Sequence, residues 1–419
     1  MRLLFCSFSS PGFLFPLVGL AAELRRRGHA IGFVSGPHAG EVLATAGFSR
    51  IPRSEHDGPS FNVSTWYVPI SIAIDVKHIE YAIAREPPDA IVTHHLCFSA
   101  LIVRDRHAVP AAVLGPMAYL YPPAQPTVTG LSAECTRRLQ WRLEEGMSVL
   151  NASRELFRLP AQPAIADDHG MLGDAYMLRT APCLETSLDA WPSKVHAVGP
   201  CIWEPAMDDA AWQDLRANFA APEAPVVYVH NGRAFDSPSF WPQLVAALGP
   251  APVQVVASVA RMDTELGPLP SNFLVRPHVP QGLVLPHASA VIAGGHSSVA
   301  IGAAVHGVPS VLIPHGVETP ENTDRLVSAG CALSLDINAL TPDHVRYALD
   351  HVLGDDGMQR NCAALKDKLR ALDSLATAAT LVETMASTQA PVLRARAAVF
   401  TDAIENADRA TSRADAFAT

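Results

Sequence analysis

The chain has 419 residues, and its 31 Lys and Arg against 41 Asp and Glu give a net charge of −10. This length predicts two to three domains, and a hydrophobic fraction of 49% is enough for buried cores and excludes a fully disordered chain. Nucleic acids and anionic membranes attract concentrated positive charge, so an acidic chain is not expected to bind either, and small-molecule chemistry is the expected function class.

The N-terminal residues predict a strand and a helix rather than a signal peptide. Pro11-Gly12 interrupts the early apolar run, and apolar residues then recur at helical spacing, as at Leu17 and Leu24, before three arginines and Gly28. No run reaches the roughly 18 apolar residues that a membrane span requires. The seven cysteines are scattered, without a CxxC pair or zinc spacing. These features predict a reduced, cytoplasmic protein.

Strand and helix patterns alternate through the first half of the chain. Short apolar strands are predicted at 3–6, 29–34, 90–93 and 111–114, with a helix at 16–27 and a polar helical region at about 130–166. This alternation predicts a mostly parallel sheet that helices cover on both faces.

A second alternating series begins at Pro225, after a proline-rich, acidic segment typical of a linker. The fold class is therefore α/β, with two Rossmann-like, doubly wound domains. The predicted boundaries are 1–204 for an N-terminal domain, 205–224 for a linker, 225–386 for a C-terminal domain, and 387–419 for a terminal helix and tail. Such sheets bind ligands beyond the carboxyl ends of their strands, so one cleft between the domains is the expected site.

A glycine turn lies between an apolar strand and a helix, at Ala293-Gly294-Gly295-His296-Ser297-Ser298. Glycines let backbone N–H groups approach a ligand, a helix N-terminus favours an anion, and Ser297 or Ser298 can cap the helix. The turn suggests a phosphate site, although an ordinary strand-to-helix turn with a serine cap explains it equally well.

Polar residues also follow the next predicted strand, at Glu318, Thr319 and Asn322. Carboxylate, hydroxyl and amide groups beyond a strand end suit a polyol ligand. Helix capping explains the same residues as well.

Several motifs together resemble the family-one GT-B glycosyltransferases, in particular the bacterial branch that modifies macrolides and other natural products. Those in the second half are Val279-Pro280-Gln281, Gly294-Gly295 with Ser298, Gly307-Val308-Pro309, Pro314, and Asn322 with Arg325-Leu326. Those in the first half are Pro11-Gly12-Phe13, Pro16-Leu17, Gly28-His29 and Val198-Gly199-Pro200. The resemblance runs from Arg2 to about Met385. It implies the GT-B fold, an acceptor bound by the first domain and a nucleoside diphosphate sugar bound by the second, with no metal ion and no further cofactor.

His296 of the glycine turn is expected at the donor site because it lies at a predicted loop end that faces the cleft, although a structural role also explains it. The resemblance further implies roles for single residues of this site. It assigns Gln281 to the nucleotide base, Gly294, Gly295, Ser297 and Ser298 to the diphosphate, and Glu318 and Thr319 to the sugar hydroxyls.

Three positions depart most from the family pattern, and Glu318-Thr319 in place of the family's Asp-Gln pair is a milder change. Phe13 stands where the opening loop carries the histidine that deprotonates the acceptor, His94 stands where its acidic partner belongs, and Ala293 replaces a histidine that contacts the diphosphate. We predict His94 or His95 as the replacement base, because imidazole accepts a proton near neutral pH. Arg233 is the predicted replacement for the diphosphate contact, because a guanidinium binds phosphate oxygens. Histidines bonded to backbone and a simple ion pair of Arg233 are the structural alternatives.

Phe13, Phe61, Trp66 and Met117 are predicted to line an apolar acceptor pocket, although aromatic residues are more often part of a core. Three functions fit the pattern. The expected one is inverting transfer of a deoxysugar from a nucleoside diphosphate to a hydrophobic natural product. The others are a homologue that no longer transfers sugar and serves as an auxiliary subunit, and a different acid/base reaction in the cleft. A homodimer or a partner enzyme of the same pathway remains open.

Overall fold

The computed structural model describes residues 1–55, 57–124, 132–185, 188–230, 240–259 and 266–394. Two sheets organise this part of the chain, and every neighbouring pair of strands in them is parallel. The predicted α/β class with two doubly wound domains is confirmed.

The first sheet has the strand order β3-β2-β1-β4-β5-β6-β7. Its strands are β1 (Arg2–Ser7), β2 (Ala30–Ser35), β3 (Arg50–Ile51), β4 (Ala90–His94), β5 (Ala111–Leu114), β6 (Ala175–Leu178) and β7 (Val195–Ala197). The helices around it are α1 (Pro11–Arg26), α2 (Gly40–Thr45), α3 (Pro69–Arg85), α4 (Phe98–His107) and α5 (Ala133–Glu155).

The second sheet has the strand order β10-β9-β8-β11-β12-β13. Its strands are β8 (Val226–His230), β9 (Gln254–Ser258), β10 (Phe273–Arg276), β11 (Ala288–Ala293), β12 (Ser310–Leu312) and β13 (Ala332–Ser334). The helices of this half are α6 (Asp209–Arg216), α7 (Phe240–Leu248), α8 (Gln281–Val284), α9 (Ser297–His306), α10 (Thr319–Ser328), α11 (Pro342–Gly354), α12 (Asp356–Arg370) and α13 (Ser374–Thr388).

Helix α1 begins five residues earlier than the sequence pattern predicts. Pro11 is its first residue, where a missing N–H costs nothing, and Pro16 lies inside the helix. The sequence pattern predicts that the helix starts at Pro16, because proline more often begins a helix than continues one. The earlier start places Phe13 on the first turn of α1, next to the end of β1.

The last described helix, α13, returns to the first domain. Ala378, Val382 and Met385 pack into the same core as Leu17 and Leu20 of α1. The predicted linker contains α6, whose Trp212 packs into the core of the second domain. The boundaries at 204, 224 and 386 remain predictions, as does the tail, which continues beyond the described residues.

In the described part of the chain, no helix is both long enough and apolar enough to cross a membrane.

A substitution at His169 tests what it costs to bury an unpaired polar side chain in the core of the first domain. The side chain is buried against Tyr121, with ring centroids 4.7 Å apart, and neither ring nitrogen has a hydrogen-bond partner among the described residues. Burial lowers the pKa of His169 to about 3. We expect His169→Phe to raise the free energy of unfolding by about 1–3 kcal/mol, since it removes two unsatisfied polar atoms. Chemical denaturation measures this gain.

The gain of His169→Phe should depend on pH. The unfolded histidine binds a proton below about pH 6.5 and the folded one only near pH 3, so the wild type loses stability as the pH falls through this window. The advantage of the variant should therefore grow between pH 7 and pH 5. His169→Gln keeps a polar group in the same place and should show no gain. An advantage of His169→Phe that stays constant with pH would contradict this account.

Candidate active site between the two sheets

The carboxyl ends of the two parallel sheets face each other. Met117 follows the end of β5, and its backbone N–H donates to Oγ of Ser297, the first residue of α9, at 3.1 Å. The Met117 side chain packs into the core of the second domain. The two domains therefore meet at these strand ends, and Met117 is a contact between the domains rather than an open acceptor contact.

The glycine turn has the shape that a strand-to-helix anion site requires. Gly295 has φ +84°, and a Cβ there would lie 2.8 Å from Oγ1 of Thr323. Asn322 braces the turn, because its Nδ2 donates to the Gly295 carbonyl at 2.9 Å and to Ser297 Oγ at 3.2 Å. Only glycine fits position 295 without strain. The cap differs from the prediction: His296 is the N-cap residue, and its own side chain makes no capping hydrogen bond.

Glu318 lies at the N-terminus of α9. Its Oε1 accepts from the Ser297 backbone N–H at 3.3 Å and lies 3.8 Å from Nδ1 of His296. Burial alone would raise the pKa of this carboxyl, but the neighbouring His296 outweighs it and lowers the pKa to about 2. A permanent negative charge therefore occupies the helix end that the sequence assigns to a diphosphate.

Thr319 is placed differently from its predicted role as a sugar contact. The side chain is fully buried, its Oγ1 accepts from the His315 backbone N–H at 3.0 Å, and it donates to the Gly316 carbonyl at 2.8 Å. The hydroxyl therefore holds the turn before α10 closed and does not point to an open ligand space.

The histidine pair at the end of β4 divides into two roles. His94 Nε2 accepts from the Phe8 backbone N–H at 3.1 Å, and its Nδ1 faces the Leu96 N–H at 3.3 Å. Burial, together with the neighbouring His95, holds the pKa of His94 well below its usual range. His94 thus has the structural role that was the alternative interpretation of the pair. No ring lone pair of His94 is left to take a proton from the acceptor substrate.

His95 retains the capacity to accept a proton. Its Nδ1 is buried and has no hydrogen-bond partner in the described ranges. Burial lowers the pKa of His95 to about 4, with Glu318 opposing the shift and Arg179 adding to it. The ring is neutral at physiological pH, and a carboxylate on the opposite wall favours its protonated form. Of the two predicted bases, the geometry favours His95.

The predicted acceptor residues are unequally accessible. The Phe13 ring packs beside the histidine pair, with centroids 4.4 Å from His94 and 5.6 Å from His95. Phe13 and Trp66 are half-buried at the edge of the first core. Phe61 is fully buried, and its backbone N–H donates to Asp75 at 2.7 Å. Phe61 is therefore a core residue, and Phe13 and Trp66 keep surface for an acceptor.

Of two side chains predicted to contact the nucleotide, Gln281 and Arg233, the structure describes only Gln281. Gln281 begins α8, and its Oε1 would lie 2.4 Å from a Cβ at Gly302, so the amide packs against α9. Glu204 accepts from the Gly282 backbone N–H at 2.6 Å and thereby joins the domain junction to α8, a contact that no sequence motif indicated. Arg233 lies outside the described residues. Ser298 lies half-buried on the first turn of α9, beside Gly294 and Gly295.

Ion pairs also join the domains beside the cleft. Glu321 of α10 is buried and pairs with Arg138 at 2.7 Å and Arg142 at 3.0 Å, both on α5. Arg325 pairs with Glu185 through two hydrogen bonds of 2.6 and 2.8 Å. Sequence reasoning missed these pairs, because the partners lie far apart in the chain.

No group of three or more His, Cys, Asp or Glu residues in the described ranges is arranged to hold a metal ion.

Known proteins are similar to this chain over most of its length. Residues 243–385 match a family model described as Erythromycin biosynthesis protein CIII-like, C-terminal domain. The chain is 26% identical over 422 residues to the 4'-demethylrebeccamycin synthase of Lentzea aerocolonigenes, covering 91% of this chain and 99% of that one. It is 23% identical over 434 residues to the 3-alpha-mycarosylerythronolide B desosaminyl transferase of Saccharopolyspora erythraea, covering 92% and 99%.

Solved structures of glycosyltransferases are similar to nearly the whole chain. The glycosyltransferase of kitacinnamycin superposes with a TM-score of 0.70 at 23% identity, over 93% of this chain and 99% of that one. The glycosyltransferase VinC, in complex with dTDP, gives a TM-score of 0.65 at 18% identity, over 93% and 100%. The chain therefore has the GT-B fold. Its resemblance to bacterial macrolide and natural-product glycosyltransferases is confirmed by these relatives and by the match of residues 243–385 to the model of an EryCIII-like C-terminal domain.

Proposed function

We propose that this protein is an inverting glycosyltransferase that moves a deoxysugar from a nucleoside diphosphate to a hydrophobic natural product. The single observation that carries the proposal is the convergence of an anion site, a permanent carboxylate and a neutral imidazole between two facing sheet edges. The matched relatives are named as transferases or synthases of natural products, which supports the same reaction class.

The donor would bind with its diphosphate at the N-terminus of α9. Backbone N–H groups of Gly295 to Ser298 and the helix dipole favour an anion there. Glu318 at present takes the Ser297 N–H, so its carboxylate has to turn towards the sugar hydroxyls when the diphosphate arrives. A carboxylate accepts hydroxyl hydrogen bonds well, which fits the sugar role that the family resemblance implies.

The acceptor would bind beside Phe13 and Trp66, with its nucleophilic hydroxyl near His95. The hydroxyl oxygen attacks the anomeric carbon, and its proton passes to the neutral His95 ring. The bond between the anomeric carbon and the diphosphate oxygen breaks, and the leaving oxygen keeps the electron pair. Attack in line with the leaving group inverts the anomeric configuration. Glu318 stabilises the imidazolium that forms, as its charge already favours that form.

Calorimetric titration with UDP and TDP tests the proposal, followed by a search for glycosylated product with hydrophobic aglycones. We expect one of the two nucleotides to bind with a Kd below about 1 mM, the upper range for such substrates. Failure of both to bind at millimolar concentration would remove sugar transfer as the function.

Glu318→Gln should separate donor binding from catalysis. It removes a charge of −1 from the helix end, so we expect the free nucleoside diphosphate to bind about 3–10-fold more tightly, the effect of roughly 1 kcal/mol of relieved repulsion. The transfer rate should fall at least 10-fold, because the imidazolium of His95 loses its counter-charge. Titration and steady-state rates measure the two effects.

Glu383→Gln provides the matched control. This carboxylate pairs with Arg27 at the far end of α1, so its loss changes the net charge equally without touching the cleft. Neither nucleotide affinity nor rate should change. Weaker nucleotide binding by Glu318→Gln than by the wild type would show that Glu318 does not compete for the helix end.

A further inference from the structure

We infer that Arg179 binds the leaving diphosphate from the first domain, opposite the N-terminus of α9. This inference rests on the proposed nucleoside diphosphate donor and adds a residue that neither sequence motifs nor comparisons assign. The diphosphate would then be held between both domains rather than by the second domain alone.

The position of Arg179 follows from the strand order. It is the first residue after β6, and its backbone N–H donates to the Pro116 carbonyl at 3.0 Å. Its Nε donates to the Gly115 carbonyl at 3.2 Å. These carbonyls belong to the loop after β5 whose next residue, Met117, contacts Ser297. The guanidinium is thus fixed against the segment that touches the first turn of α9.

The charge of Arg179 is buried and uncompensated within the described residues. The residue is 8% exposed, and no described carboxylate lies within 4.0 Å of its guanidinium. Cys201 is its neighbour, but burial raises the pKa of that thiol to about 12, so it stays neutral. A guanidinium has five N–H donors, and a buried cation without a counter-charge is strongly unfavourable. The arrangement is the one expected of a residue that awaits an anionic ligand.

Glu318 is a carboxylate that acts electrostatically on Arg179, yet it is engaged elsewhere. It raises the pKa of Arg179 against the larger lowering by burial, while its Oε1 accepts from Ser297 N–H. Arg179 also acts on His95, whose pKa it lowers. One guanidinium therefore lies within electrostatic reach of the proposed base, the sugar-side carboxylate and the helix end.

A diphosphate is the ligand that fits these neighbours. The planar fork of arginine pairs with two phosphate oxygens at once, and the leaving group gains negative charge as its bond to the sugar breaks. Ala293, at the end of β11, is fully buried and offers no side-chain donor. Arg179 supplies from the opposite wall the cation that position 293 lacks.

The test compares the affinities of nucleoside diphosphate and nucleoside monophosphate, measured by calorimetry on the full chain. Arg179→Met should weaken the diphosphate about 10–100-fold, the effect of losing hydrogen bonds to a charged group, and the monophosphate less than threefold. Arg179→Lys keeps the charge without the fork and should lose about 3–10-fold for the diphosphate. The ratio of the two affinities does not respond to a general loss of folded protein.

The double variant Arg325→Met/Glu185→Gln is the control, since it removes an interdomain arginine together with the carboxylate that neutralises it. Its affinity ratio should equal that of the wild type. If the wild type binds no nucleoside diphosphate, the proposed function fails. If the wild type binds it and Arg179→Met keeps the ratio, or weakens both ligands equally, the assignment of Arg179 is overturned and the proposed function stands.

Discussion

Replacing His95 with alanine is expected to lower kcat for glycosyl transfer by about 10²–10⁴-fold, the usual contribution of a positioned general base. The neutral ring is the proton acceptor that the cleft offers beside Phe13, because His94 is bonded to the backbone of Phe8. Steady-state kinetics with a fixed donor measures the loss. Nucleoside diphosphate affinity should change less than threefold, since an interaction made mainly in the transition state alters rate rather than binding.

His94→Gln is the matched variant for this experiment. The glutamine amide oxygen can still accept from the Phe8 N–H, so we expect the rate to stay within about 10-fold of the wild type. Wild-type turnover by His95→Ala, or a collapse of turnover in His94→Gln with intact folding, would reassign the base.

The pH profile gives a second check on the same residue. The pKa of His95 is lowered to about 4 by burial, so the base is mostly unprotonated above about pH 5. Protonation of His95 should therefore leave kcat/KM unchanged above about pH 5 and should lower it as the pH drops through 4. An acid limb near pH 6.5, the value of a free imidazole, would point to a different group.

Replacing Glu321 with alanine is expected to lower the free energy of unfolding by about 3–5 kcal/mol. Its buried carboxylate faces Arg138 and Arg142 of α5, and Arg142 also donates to the Val317 carbonyl. Truncation leaves two partly buried guanidinium groups without their counter-charge, which costs more than the intact pair gains. Urea denaturation monitored by circular dichroism measures the change.

A triple variant distinguishes charge from packing. Arg138→Met/Arg142→Met/Glu321→Leu replaces the whole cluster by apolar groups of similar length and should recover most of the lost stability. A loss below about 1 kcal/mol for Glu321→Ala would show that water screens the cluster, as it does for exposed pairs.

Much of the fold was predictable because it depends on local patterns. Apolar runs such as Leu3–Cys6 and Ala90–Thr93 are fully buried in parallel strands, and their alternation with helices fixes which strand ends meet. Residues directly after these strands, such as His95 and Gly295, were therefore placed at the cleft from sequence alone. The first turn of α1 was missed because an internal proline imitates a helix start.

What sequence could not supply was the partner of each polar group. His94 and His95 are adjacent and chemically identical, and the hydrogen bond that gives His94 its structural role comes from the Phe8 N–H, 86 residues away. Glu321 and Arg138 are 183 residues apart, and their pairing depends on how the two domains meet. Arg179 follows an apolar strand without any motif, so its lack of a counter-charge is visible only in three dimensions.

The return of α13 has a mechanical consequence. The chain enters the second half after Cys201 and leaves it before Ser374, and these two crossings touch, with the Cys201 backbone N–H donating to Ser374 Oγ at 3.1 Å. Two adjacent covalent connections leave the halves free to rotate about one point, so any opening between them would be a rotation there. Displacement grows with distance from a hinge, and a small rotation there would separate Arg138 from Glu321 while hardly stretching the connections themselves.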